Sequence, residues 1–297
     1  MNVLKHAKKP LQALPNLPRF FAGCSAEMRL AAAAAMAAGK FIEAGYLKID
    51  NFEAKGVGDL VTQVDVDADC AATEILQTSA LPIVSEELNP TTNDENAKMW
   101  IVDPLDGSTA FVLGARKELT SVLIALCEDG RPILGVTYFP LTGEWFYAER
   151  GKGAMKNGVA FKMPHQELKL NECWIELNQY GNAKFETEFF GAARSRLRSP
   201  SGARIVTSNF PSAGVAMRVA EAKSGPTAAI HDNGAQYLKQ GPWDIAANQI
   251  IFEEAGGCFL NPSLQPTSLF QAEPIIVSPT KKLAEEIVDC VSSGFGI

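Results

Sequence analysis

In the stretch 100-WIVDPLDGSTAF-111 two aspartates, Asp103 and Asp106, stand three residues apart, directly after an apolar run that reads as a buried strand. Pro104 restricts the backbone between them, so both carboxylates can project from one side of a strand end. Like charges this close repel, and burial adds to the cost, unless a cation neutralises them. Carboxylates are hard oxygen ligands, and Mg2+ suits them. Gly107, Ser108 and Thr109 then read as a tight turn or helix start whose open backbone N–H groups can receive an anion such as phosphate. Taken alone, D-P-x-D-G is also an ordinary turn composition. Its company changes the reading: Glu86 ends the apolar strand of 81-LPIVSEEL-88, Asp65 follows 59-DLVTQV-64, and Asp244 follows Pro242-Trp243 at a helix start.

Each of these residues also has a plain structural role open to it. Asp65 can cap the helix that follows it, and Asp244 can cap a helix or complement its dipole. Glu87 alternates away from Glu86, and Asp67 and Asp69 fit a solvated helical face. Trp243 reads as a packing residue. The three histidines, His6, His165 and His231, have no zinc-ligand spacing.

The elements that must position the acids are legible in outline. Residues 25–48 predict a helix: Ser25 can cap it, Glu27 lies in its first turn, and 31-AAAAAMAAGKFIEAG-45 is rich in the best helix former. Gly56 and Gly58 mark a turn before 59-DLVTQVD-65, a short strand-like piece leading into a helical pattern. Strands are expected within 81–88, 99–103, 143–150, 172–179, 203–209 and 257–261, and a hairpin over 119–140 turning at Asp129-Gly130. The Gly-rich 151-GKGAMKNG-158 lacks G-x-x-x-x-G-K-[ST] spacing and reads as a second turn rather than a phosphate loop. Helices are predicted over 213–225 and 242–257, the latter opened by Pro242 and stopped by Gly256-Gly257. The pattern divides the chain into a loose N-terminal arm over 1–24, an α+β subdomain over 25–160 with most of the acids, and an α/β subdomain over 161–297 with Asp244. Residues 1–20 are basic and interrupted by prolines, with a transit peptide as the alternative to an arm.

Of the 297 residues, 46% are hydrophobic and 21% charged, the balance of a soluble globular protein. A net charge of -7 with no long Lys/Arg cluster argues against a nucleic-acid partner. The six cysteines are scattered without a C-x-x-C pair, which predicts reduced thiols and a cytoplasmic setting. No run of about 18 apolar residues occurs, so no membrane helix is expected.

Five segments in order, 59-DLVTQVD-65, 84-VSEE-87, 101-IVDPLDGST-109, 151-GKGAMKNG-158 and 243-WD-244 with 253-EEAGG-257, resemble the inositol monophosphatase family. These are magnesium-dependent, lithium-sensitive phosphatases of the superfamily that includes fructose-1,6-bisphosphatase. The resemblance implies a layered α-β-α-β-α sandwich, antiparallel-rich in its first half and α/β in its second, and a homodimer. It implies one Mg2+ on Glu86, Asp103 and the Leu105 carbonyl, and a second on Asp103, Asp106 and Asp244, with a third, weaker ion near Glu86. Glu86 and Ser108 would orient and deprotonate the attacking water, supported by Asp65, while Gly107 and Ser108 hold the phosphoryl group through backbone N–H groups. Ser108 stands where many members carry threonine.

The implied substrate is a small phosphorylated metabolite, inositol monophosphate first, with fructose-1,6-bisphosphatase, histidinol-phosphatase and 3'(2'),5'-bisphosphate nucleotidase activities as alternatives. A metal-binding regulatory protein retaining the fold is the non-enzymatic alternative. The family's small-residue substrate turn corresponds to 211-PSAGVA-216, with proline in place of the first glycine, making Ser212 and Ala213 candidate contacts. The stretch 229-AIHDNGAQYLKQGPWD-244 is longer than the family pattern. His231, Asp232 or Lys239 can contact substrate there, or belong to a longer surface loop. Lys and Arg between 193 and 205 can supply a pocket for a second phosphate.

Overall fold

The computed structural model describes residues 15–48, 52–56, 59–88, 91–114, 116–163, 168–178, 186–208, 213–221, 227–232 and 241–292. Ser25 Oγ accepts the Met28 N–H at 3.0 Å and so starts α1 (Ala26–Gly45). The buried alanines of α1, Ala31 to Ala35 and Ala38, let it lie close against α2 (Gln63–Leu76). Between the two helices runs the hairpin of β1 (Glu53–Gly56) and β2 (Asp59–Val61).

A seven-stranded sheet follows: β3 (Ile83–Ser85), β4 (Met99–Asp106), β5 (Ser121–Glu128), β6 (Arg131–Phe139), β7 (Glu144–Glu149), β8 (Ala154–Lys156) and β9 (Val159–Phe161), in that spatial order. Its β3–β4 pair is parallel and its other pairs antiparallel. The β5–β6 turn at Asp129-Gly130 has φ of 53° and 67°, the left-handed pair that a two-residue hairpin requires. Between β4 and β5 lies the short α3 (Ser108–Val112).

The second sheet is built from β10 (Trp174–Asn178), β11 (Ile205–Thr207), β12 (Ala228–His231), β13 (Cys258–Leu260) and β14 (Ile275–Ser278), in the order β11-β10-β12-β14-β13. The three strands β11, β10 and β12 are parallel. Around them the chain forms α4 (Glu188–Arg196), α5 (Val215–Glu221), α6 (Pro242–Glu254) and α7 (Lys281–Ser292).

Strand alternation sorts the core into layers. Trp100, Val102, Val122 and Ile124 pack against α1 and α2. Ile101, Leu123 and Ala125, on the opposite face, join α5 and α6, which are met from the other side by Ala229 and Val277 of the second sheet. Ile175, Ile230 and Ile276 then face α4 and α7. The result is the expected five-layer α-β-α-β-α sandwich. Each fully buried Leu, Ile or Phe in these layers contributes about 1.5–3 kcal/mol.

The expected loose arm is corrected for residues 15–24. Arg19–Phe21 form a 3-10 turn, Phe21 is fully buried, and Phe20 and Phe21 lie 6.0 and 4.7 Å from the Tyr147 ring. Gly158 makes room for this docking, because a Cβ there would stand 2.5 Å from Phe20 Cβ. Residues 1–14 lie outside the described residues.

Candidate metal centre

Why two aspartates three apart share a face is answered by the register of β4. Asp103 pairs with Leu123 and Asp106 with Ser121, so three steps on β4 oppose two on β5. This is a β-bulge, and the extra residue puts Asp106 back on the side of Asp103. Pro104 is tolerated inside it because the bulge interrupts the ladder. Met99 and Ile101 on the same side pack in the α5–α6 layer, and that is where α6 brings Asp244 in its first turn.

Asp103, Asp106 and Asp244 each offer a carboxylate oxygen, all within 4.8 Å of one another. An all-carboxylate donor set fits a hard divalent cation, and opposite corners of a Mg2+ octahedron are about 4.2 Å apart. Asp103 Oδ1 accepts the Leu105 N–H at 3.0 Å. Asp106 is held by three donors: Ser121 Oγ at 2.7 Å, Gly214 N–H at 3.0 Å, both on Oδ2, and Ala213 N–H at 2.8 Å on Oδ1. Asp244 Oδ2 accepts the Gly241 N–H at 3.1 Å, so it also performs the capping role open to it.

Glu86 follows β3, and its N–H donates to the Val102 carbonyl at 3.2 Å, which extends the parallel pairing toward the bulge. Its carboxylate is not in the three-aspartate group. Asp65 serves two purposes at once. Its Oδ2 accepts the Thr62 N–H (2.7 Å) and Oγ1–H (2.6 Å) at the start of α2, while Oδ1 accepts Ser108 Oγ–H at 2.8 Å. The Leu105 carbonyl, 3.0 Å from Ser108 Oγ, is the alternative acceptor for that proton. Gly107, at φ 82°, turns the chain from β4 into α3 in a conformation that favours glycine.

Two expectations are corrected here. Asp69 is not on a solvated face: it is fully buried, and its Oδ2 accepts the N–H groups of Glu87 and Leu88, each at 3.1 Å. Four residues after Asp65, it shares that helix face, which the turn after Glu86 covers. His231 and Asp232 are not in a surface loop either. His231 closes β12, paired with Asn178 and Ile275, and Asp232 is buried against the Thr187 N–H (3.3 Å) and Oγ1–H (2.8 Å) that begin α4. The cause is that β12 pairs one residue beyond its apolar run. His231 Nδ1 lies 2.9 Å from Asn178 Nδ2, its Nε2 is buried with no hydrogen-bond partner among the described residues, and burial pushes its pKa down to about 4. The ring is therefore neutral at neutral pH.

Ala213 is brought to the site through its contact with Asp106; Ser212, Lys239, His6 and His165 lie outside the described residues. The 151–158 stretch is a turn followed by the β8–β9 hairpin. Its Gly151 and Gly153 N–H groups donate to the two oxygens of Glu254, at 2.7 and 2.8 Å, so this nest holds the chain's own carboxylate. In the basic 193–205 segment, Arg194 pairs with Glu186 at 3.0 Å and Arg196 donates to the Val291 carbonyl, both in the outer helical layer. Arg218 anchors α5, bonding Glu144 at 3.1 Å and Glu221 at 2.7 Å. Burial alone would raise the Glu144 pKa, but hydrogen bonds from Lys156, Arg218 and Thr142 outweigh it and hold the carboxyl at about 2.

Residues that sequence reasoning passed over are Ser121, Gly214 and Asn248. Only Asn248 left a trace, four residues after Asp244 on the same helical face.

Comparison with known proteins places this geometry. The model of the inositol monophosphatase family matches residues 25–293. Inositol monophosphatase 2 of Solanum lycopersicum is 31% identical over 243 residues, 77% of this chain and 85% of that protein. Nus factor SuhB of Pasteurella multocida is 28% identical over 277 residues, 90% of this chain and 98% of that one. The crystal structure of the extragenic suppressor protein suhB from Bartonella henselae superposes with a TM-score of 0.76 at 27% identity, covering 91% of this chain and all of that one. Running from the first helix to the last, the family model's match makes the chain a member of the inositol monophosphatase family, a metal-dependent phosphatase.

Proposed function

We propose that the chain hydrolyses the phosphate monoester of a small hydroxylated metabolite, with inositol monophosphate the leading case. The observation that carries this reading is the convergence of Asp103, Asp106 and Asp244 beside the Ser108–Asp65 pair. Mg2+, when bound, supplies Lewis-acid polarisation of the phosphate and acidity to a coordinated water. Asp103, Asp106 and Asp244 would hold it, with Glu86 and the Leu105 carbonyl completing a neighbouring site that shares Asp103.

The chain's own residues then handle the proton and the phosphate. Ser108 Oγ–H donates a hydrogen bond to Asp65 Oδ1 and so presents a lone pair to the attacking water, which Glu86 orients and whose proton Glu86 accepts. Backbone N–H groups of Gly107 and Ser108 bind the phosphoryl oxygens as charge builds on them. The buried Nε2 of His231 takes a substrate hydroxyl as its missing partner, with Ser212 and Ala213 as further substrate contacts. The protein acts as a homodimer in the cytoplasm, without nucleic acid. No helix among the described residues is long and apolar enough to cross a membrane.

A panel of inositol, sugar, nucleotide and histidinol phosphates, assayed for Mg2+-dependent release of inorganic phosphate, tests the substrate. Inositol monophosphate should give the highest kcat/KM; a bisphosphate preferred tenfold or more would move the assignment to one of the other branches.

A further inference from the structure

We infer that Asn248 is a positioning residue for the metal centre, the middle of a hydrogen-bond relay that ends on Asp106. The inference rests on the reading of Asp106 as a metal ligand. Asn248 is 1% exposed, in the α5–α6 layer one helical turn after Asp244. Thr137 Oγ1 of β6 donates to its Oδ1 at 2.7 Å, and its Nδ2 donates to the Ala213 carbonyl at 2.9 Å. That carbonyl belongs to the same peptide unit as the Gly214 N–H, which donates to Asp106 Oδ2 at 3.0 Å. Thr137, Asn248, the 213–214 peptide and Asp106 thus form one series in which every donor points toward the carboxylate.

Bonds in such a series polarise one another, so each strengthens the next, and the low dielectric of a buried layer amplifies the effect. The acceptor at Ala213 also fixes which way the Asn248 amide faces, because a flipped amide would set two carbonyl oxygens together. The close approach of α6 to β6 that makes the relay possible depends on Gly135, two residues from Thr137. A Cβ at Gly135 would stand 2.6 Å from the Ala247 carbonyl oxygen. A polar amide is costly to bury in a layer of Ala, Ile and Val. A packing role alone would be filled better by leucine. The relay instead fixes the plane of the Asp106 carboxylate and ties it to the helix that carries Asp244, so the two ligands move as one body.

The test uses the full-length protein with Mg2+ itself as the probe. Binding is measured by titration calorimetry on the metal-free protein, with thermal melts alongside, for wild type, Asn248→Leu, Thr137→Val and Asp106→Asn. Loss of an outer-shell partner costs about 10–100-fold in metal affinity. Asn248→Leu should weaken Mg2+ binding by about tenfold or more, with KM for substrate at saturating Mg2+ little changed, and Thr137→Val should shift affinity the same way by less. If Asn248→Leu does not fold, Thr137→Val decides the point. Wild-type Mg2+ affinity in the relay variants, with Asp106→Asn losing it, would overturn the relay and leave the metal centre standing. Wild-type affinity in Asp106→Asn would instead overturn the metal centre beneath it.

Discussion

At the scale of single residues, the site is built from carboxylates that each do two things. Asp65 caps α2 with one oxygen and holds the Ser108 hydroxyl with the other, so capping and orienting that hydroxyl are not alternatives. Asp65→Ala should cost about 1 kcal/mol through the lost cap and lower kcat by about 100-fold through the lost hydrogen-bond acceptor. Urea unfolding and phosphate release measure the two separately; an unchanged kcat would reduce Asp65 to a cap. His231 carries a pH signature of its own. Its folded pKa of about 4 lies below the ordinary 6.5, so the unfolded chain takes up the proton first as pH falls. The stability that this provides is complete above pH 6.5 and is lost as pH falls toward 4, by about 3 kcal/mol. Unfolding curves between pH 7 and 4 should therefore fall more steeply for wild type than for His231→Gln.

At the scale of elements, β4 and α6 are the parts that bring the acids together. The bulge at Pro104-Leu105 turns an i, i+3 spacing into a shared face, and Gly135 lets α6 settle against β6. Gly135→Ala places a methyl group against the Ala247 carbonyl and should destabilise the fold by about 1–3 kcal/mol, read from a urea melt. Much of this level was legible in the residues. Ser25 and Asp129-Gly130 announce a helix start and a hairpin because cap and turn chemistry are local, and the acids stand out because apolar strands stop at them. Asp69, His231 and the 15–24 segment were misread for one shared reason. Whether a polar helix face, a strand end or an aromatic pair is buried depends on which distant backbone lies over it: the turn after Glu86, the β10–β12 pairing, and Gly158. Asn248 showed nothing beyond its spacing from Asp244 for the same cause, since its partners Thr137 and Ala213 lie 111 and 35 residues away in the chain.

At the scale of the molecule, two sheets sandwich a helical layer, and the candidate metal centre sits where the first sheet's bulged strand meets that layer. Asp103 and Asp106 come from one half of the chain and Asp244 from the other, so the centre exists only when both halves are packed together. The account accordingly stands or falls on these ligands acting as a unit. Mg2+-dependent release of inorganic phosphate, measured for wild type, Asp103→Asn and Asp244→Asn over a range of Mg2+ concentrations with a melt to confirm folding, tests this most directly. Both variants should fold and lose activity by about 100-fold or more, the upper end of what even an outer-shell loss costs. Wild-type turnover at the wild-type Mg2+ requirement in both variants would contradict it.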